Sequence, residues 1–129
     1  MKYLLDTNAC ISLLKNVNDI RAKIIAVGLE ECCVSEITLA ELFYGAAKSG
    51  RAQHYEDVKF IQEHFEVLPI RPVLNLFGQN RYTLEAKGMR IDDFDLLIAS
   101  TALYNNLTVV THNTKHFNRI QNLQVEDWE

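Results

Sequence analysis

The chain has 129 residues, 48% of them hydrophobic and 23% charged, with a formal net charge of −4. That length fits one compact domain over 1–129 with a substantial core, and the composition is that of a soluble globular protein rather than a disordered one. No apolar run approaches the roughly 20 residues that cross a bilayer, and the net charge lacks the basic excess of a general nucleic-acid binder.

The start, Met1-Lys2-Tyr3-Leu4-Leu5-Asp6, meets an acid too early for the core of a secretory leader, so a cytoplasmic location is expected. Residues 2–5 read as a short buried strand. Asp6-Thr7-Asn8 then offers capping side chains for a helix over about 9–15. Ile20, Ile24, Ile25 and Val27 predict a helix over about 18–28, with Asn18 as its cap and Gly28 as its stop. Cys32-Cys33-Val34 reads as a second strand, with the two cysteines on opposite faces. Together with Cys10 they make an odd count without a C-x-x-C pair, the pattern of free, packed thiols.

Ser35 caps the next helix, about 36–48, which Gly50 closes. A helix over about 52–65 and a strand over 66–70 follow, and Pro72 opens a helix that runs to about Lys87. Asp92 or Asp93 caps a helix over about 93–105. Leu107-Thr108-Val109-Val110 is the clearest strand, and Leu123-Gln124-Val125 is a weak last one. Short apolar strands alternating with helices predict an α/β fold: a parallel sheet covered on both faces. In such sheets the binding crevice lies at the carboxyl ends of the strands.

Three carboxylates stand where packing favours apolar groups. Asp6 ends a strand, at the edge where the crevice lies, although an acid there also suits a helix cap. Glu41 shares a helical stripe with Ile37, Ala40 and Tyr44, where a surface glutamate is out of place unless it marks the edge of that stripe. Asp95 lies in Asp92-Asp93-Phe94-Asp95, which equally suits a helix start, and Asp92 and Asp93 are open between capping and supporting roles. Gathered together, the acids would repel one another and call for a cation to stay ionised. Thr7, Asn8 and Thr38 are candidates to orient the acids or a bound water. Asn113 follows a strand at the same sheet edge as Asp6, where turn chemistry alone also explains it. His54, His64, His112 and His116 show no zinc-binding spacing.

Four segments in this order resemble the PIN-domain nucleases, and most closely the VapC-type toxins of prokaryotic toxin–antitoxin pairs. They are Tyr3-Leu4-Leu5-Asp6-Thr7-Asn8; Ser35-Glu36-Ile37-Thr38-Leu39-Ala40-Glu41-Leu42 with Tyr44-Gly45; Asp92-Asp93-Phe94-Asp95-Leu96-Leu97-Ile98-Ala99; and Val109 to Phe117. The resemblance covers essentially the whole chain. It implies an α/β/α sandwich with a short parallel sheet, Mg²⁺ or Mn²⁺ dependence and cleavage of RNA. It also implies an antitoxin whose tail blocks the site, and a homodimer. Asp6, Glu41 and Asp95 match the family's three metal-binding acids. Asn113 stands where the family often has a fourth, which favours one metal ion, or a weak second one. A non-catalytic PIN-like module that binds RNA or protein is the alternative, suggested by Asn113 and the acidic net charge. Another metal phosphohydrolase, such as a DNA nuclease, is a third.

Overall fold

A computed structural model describes residues 1–129 throughout. Five parallel strands form its sheet: β1 (Tyr3–Leu5), β2 (Cys32–Ser35), β3 (Glu66–Leu68), β4 (Thr108–Val110) and β5 (Val125–Glu126). Their spatial order is β3-β2-β1-β4-β5. Seven helices connect and cover them: α1 (Thr7–Lys15), α2 (Ile20–Val27), α3 (Glu36–Ser49), α4 (Ala52–His64), α5 (Leu74–Ala86), α6 (Asp93–Tyr104) and α7 (Thr114–Phe117). None of them is long and apolar enough to cross a membrane.

The strands divide their side chains between two cores because successive residues point to opposite faces. Leu4, Cys33 and Val109 join Leu84, Leu96, Ala99 and Phe117 on one face. Leu5, Cys32, Val34 and Val110 join Leu13, Ile24, Leu42 and Ile61 on the other. The result is the expected three-layer α/β/α arrangement. All three cysteines are free and buried, and burial pushes each thiol well above its ordinary range.

Helix boundaries follow local chemistry with three departures. Helix α1 begins at Thr7, earlier than expected, because Asp6 Oδ1 accepts the Ala9 N–H at 2.8 Å and makes Asp6 the cap. Asn18 does not cap α2. Asp19 occupies that position without a side-chain cap bond, and the Asn18 amide donates instead to Glu129 Oε1 at 2.8 Å. Pro72 lies in a 3₁₀ turn, Arg71–Val73, and α5 starts at Leu74. The last strand is Val125–Glu126, two residues later than expected at its start. Ser35 and Asp92 cap α3 and α6 through bonds to Ile37 N–H and to Phe94 and Asp95 N–H respectively. Gly50 ends α3 in the left-handed region, φ 67°.

The chain builds the sheet outward from β1, first through β2 to β3, then back to β4 and β5 on the other side. The direction of winding therefore reverses between β1 and β4, which pair in register from Tyr3 with Thr108 to Leu5 with Val110. At such a switch point the connections leave to opposite faces and a crevice opens at the strands' carboxyl ends. Asp6 follows β1 at that crevice, and Thr111 follows β4.

Candidate active site

A cleft of about 520 Å³ opens at this point. Its walls include Asp6, Thr7 and Asn8 from the start of α1, Ala40, Glu41 and Tyr44 from α3, and Phe94 and Asp95 from α6. The three acids predicted to act together, separated by dozens of residues, thus face one space.

Asp6 is 3% exposed. Burial raises its pKa, and Glu129 and Glu41 add to the rise. Hydrogen bonding at the Thr111 hydroxyl and the Ala9 N–H counteracts part of it by favouring the charged form. Asp95 is half-buried, and its pKa is pushed up to about 6, first by burial and then by the charges of Asp92, Asp6 and Glu41. Both groups therefore carry an electrostatic penalty that a cation in the cleft would relieve.

Glu41 is held by hydroxyls. Thr7 Oγ1 donates to Glu41 Oε1 at 2.6 Å, and Thr7 Oγ1 lies 3.1 Å from Thr38 Oγ1. Each hydroxyl has one hydrogen. The Thr7 hydrogen goes to the carboxylate, so Thr38 supplies the one between the two threonines. Thr38 is fully buried and can orient Glu41 only through Thr7. Asn8 is an exposed wall residue of the cleft.

The remaining supporting candidates stand further back. Asp92 Oδ2 accepts the Phe94 and Asp95 N–H groups. It is a cap whose charge is also felt by Asp95. Asp93 does not line the cleft. Its Oδ2 lies 3.4 Å from Arg81 Nη1 and 3.5 Å from Arg90 Nη2. Asn113 is not a wall residue either. Its amide Nδ2 is 2.8 Å from His116 Nδ1, and its backbone N–H donates to Thr111 Oγ1 at 2.9 Å.

Thr111 itself was not singled out by the sequence. It is 1% exposed, accepts the Asn113 N–H, and lowers the pKa of Asp6. A threonine directly after an apolar strand is an ordinary turn residue, and only the pairing of β1 with β4 brings it to Asp6.

The donors suit a hard divalent cation, which prefers carboxylate oxygens. They do not suit a closed cage, since no three Asp, Glu, His or Cys side chains are close enough to hold an ion directly. An ion of the magnesium type retains several waters and uses only one or two protein carboxylates. A cleft of about 520 Å³ with acids on separate walls has room for such a hydrated ion. A smaller apolar hollow of about 240 Å³, lined by Ile11, Leu14, Leu42 and Val58 among others, adjoins the cleft and shares Ile11 and Glu41 with it.

Comparison with known proteins identifies the family. The family model described as "PIN domain" matches residues 3–123. The chain is 36% identical to ribonuclease VapC2 of Rickettsia felis, covering 100% of this chain and 99% of that one. It is 35% identical to the tRNA(fMet)-specific endonuclease VapC of Salmonella typhimurium, covering 99% and 98%. The solved structure of VapBC2 from Rickettsia felis bound to a promoter DNA fragment superimposes with a TM-score of 0.91 and 34% identity, covering 100% of both chains. On a matched model spanning nearly every residue, and on relatives and a structure that agree end to end, the chain belongs to the PIN-domain family.

Proposed function

We propose that this chain is a divalent-metal-dependent endoribonuclease of the VapC type, a toxin held in check by a cognate antitoxin. The observation that carries the reading is the convergence of Asp6, Glu41 and Asp95 on one cleft at the reversal of winding between β1 and β4. Similarity to ribonucleases over the full chain supports RNA as the substrate, and similarity to VapBC2 supports the antitoxin partner. The apolar hollow beside Glu41 offers an antitoxin segment a path to the site. The same reading carries a homodimer working in the cytoplasm.

Asp6, Glu41 and Asp95 are the residues that would hold Mg²⁺ or Mn²⁺, directly or through water. Bound there, such a cation would supply charge to offset that building on the phosphate and would make a water more acidic. Thr7 fixes the Glu41 carboxylate, and Thr38 fixes Thr7. Thr111 and the Ala9 N–H favour ionised Asp6 against the cost of its burial. Asp95, pushed up to about 6 by burial and its acidic neighbours in the metal-free chain, is the acid whose ionisation a bound cation would favour most. Asn113 steadies Thr111 through its backbone and offers an uncharged amide at the sheet edge in place of a fourth acid.

The test is cleavage of RNA and DNA in parallel by antitoxin-free protein. RNA should be cut with Mg²⁺ or Mn²⁺, and cutting should stop with EDTA. An Asp6→Asn protein that cuts as fast as the parent would refute the reading.

A further inference from the structure

Two aromatic rings line the acid cleft and are left largely in water. Tyr44 on α3 is 68% exposed and Phe94 on α6 is 47% exposed. Exposure alone assigns nothing, because single apolar groups on a surface are common. Tyr82 and Tyr104 are exposed at 75% and 56% and line no part of the cleft. What sets Tyr44 and Phe94 apart is their place. Tyr44 is one helical turn from Glu41, Phe94 directly precedes Asp95, and the two rings come from different walls of the same cleft.

Charge decides which part of a substrate such walls can hold. The cleft carries Asp6, Glu41 and Asp95 and no Lys or Arg, so its own side chains repel a phosphate backbone. Apart from a cation at the scissile phosphate, the cleft thus has nothing to hold the strand by its charge, and its neighbouring nucleotides are left to be gripped by their uncharged parts. Unstacked bases have apolar faces, and aromatic side chains are the usual surface on which single-stranded RNA rests them.

Resting on the reading that RNA is the substrate, we propose that Tyr44 and Phe94 are base-stacking platforms, each receiving one unpaired nucleobase beside the scissile phosphate of a single-stranded RNA. The rings position the strand and do not touch the reacting atoms. They supply a hold that is not electrostatic, in a cleft whose walls carry no Lys or Arg. They also make a duplex a poor substrate, because its bases are already stacked on one another.

The test uses the full chain, in EDTA to prevent cutting, and short single-stranded RNAs carrying the fluorescent base 2-aminopurine at successive positions. With the parent, one or two positions should be quenched by stacking. Tyr44→Ala and Phe94→Ala should each abolish the quench at one position and weaken binding by about 5- to 150-fold, the loss expected for one stacked base. Tyr44→Phe and Tyr82→Ala should behave like the parent. Both truncated rings are exposed, and unchanged melting temperatures confirm intact folding. Affinity and quench unaffected by both alanine substitutions would overturn the proposal, whatever else those substitutions change, and so would a parent that leaves every position unquenched. Cleavage with Mg²⁺ is read separately: an RNA that is bound and quenched but never cut supports the platforms and removes the nuclease reading.

Discussion

Thr7 on α1 and Glu41 on α3 are joined by a 2.6 Å hydrogen bond between residues 34 apart in the chain. A hydroxyl donating to a carboxylate is a charge-assisted bond, worth about 1.5–3 kcal/mol. It fixes the angle at which α3 presents Glu41 to the cleft. Thr7→Val keeps the side-chain shape and removes the donor. Its metal-dependent cleavage should fall by roughly 10- to 100-fold if that energy is expressed in positioning. Thr7→Ser should keep most of the rate. Cleavage kinetics with melting curves on the same samples separate lost positioning from lost folding.

Asp95 predicts how stability responds to pH and metal. Its pKa is about 6 in the folded chain against an ordinary 3.8. Between those values the folded state binds more protons than the unfolded one, so stability falls as pH rises through that window and then levels off. Asp6, also raised, acts in the same direction. Through this group, metal-free protein should therefore be more stable near pH 4 than near pH 7, with the loss spread between about pH 4 and pH 6. Replacing Asp95 by Asn should flatten that part of the profile. Mg²⁺ or Mn²⁺ should raise the melting temperature of the parent at pH 7 and lose that effect as pH drops below about 6, where protons compete for the acid.

Asp93 and Asp95 should behave differently although both sit in the first turn of α6. Asp95 lines the cleft, whereas Asp93 pairs with Arg81 and Arg90 at the surface. Asp95→Asn should reduce cleavage by about 100-fold or more, the scale for removing one electrostatic group from a reaction centre. Asp93→Asn should stay within a few-fold of the parent and lose about 0–1 kcal/mol of stability, as partly exposed ion pairs do. Equal losses of activity from the two would contradict the assignment of the cleft to Asp95.

These pairs show what the sequence reveals and what it withholds. The two cores are legible from strand alternation, as in Leu4 against Leu5 and Val109 against Val110. The caps Ser35 and Asp92 and the stop at Gly50 are local chemistry and are legible too. Residues two apart on a helix point about 200° away from each other, so Asp93 and Asp95 could not both face one cleft. Local chemistry leaves open which of them does, and the family resemblance points to Asp95. The stripe around Glu41 is legible as apolar, but periodicity does not say whether such a stripe meets a core or a cleft. Ile37 is buried, while Tyr44 is mostly exposed. Asn18 and Thr111 were misjudged or missed for one reason. Their partners, Glu129 and Asp6, are more than a hundred residues away in the chain, and no local pattern marks such a contact.

Thr111→Val should shift the pH dependence of activity without unfolding the chain. The hydroxyl lowers the pKa of Asp6 by bonding to its charged form. Removing it should raise that pKa and move the acid limb of the cleavage profile, and of metal affinity, to higher pH. Thr111→Ser should restore the parent profile. A Val variant with reduced rate but an unmoved acid limb would mean that Thr111 only packs.

The central claim is spatial: one divalent ion lies among Asp6, Glu41 and Asp95. Anomalous diffraction from crystals grown with Mn²⁺ tests it most directly. A single Mn²⁺ peak inside the cleft, bonded to at least one of these carboxylates and linked to the others directly or through water, is the predicted result. Crystals in which Mn²⁺ binds elsewhere and leaves the three acids facing only solvent would contradict it.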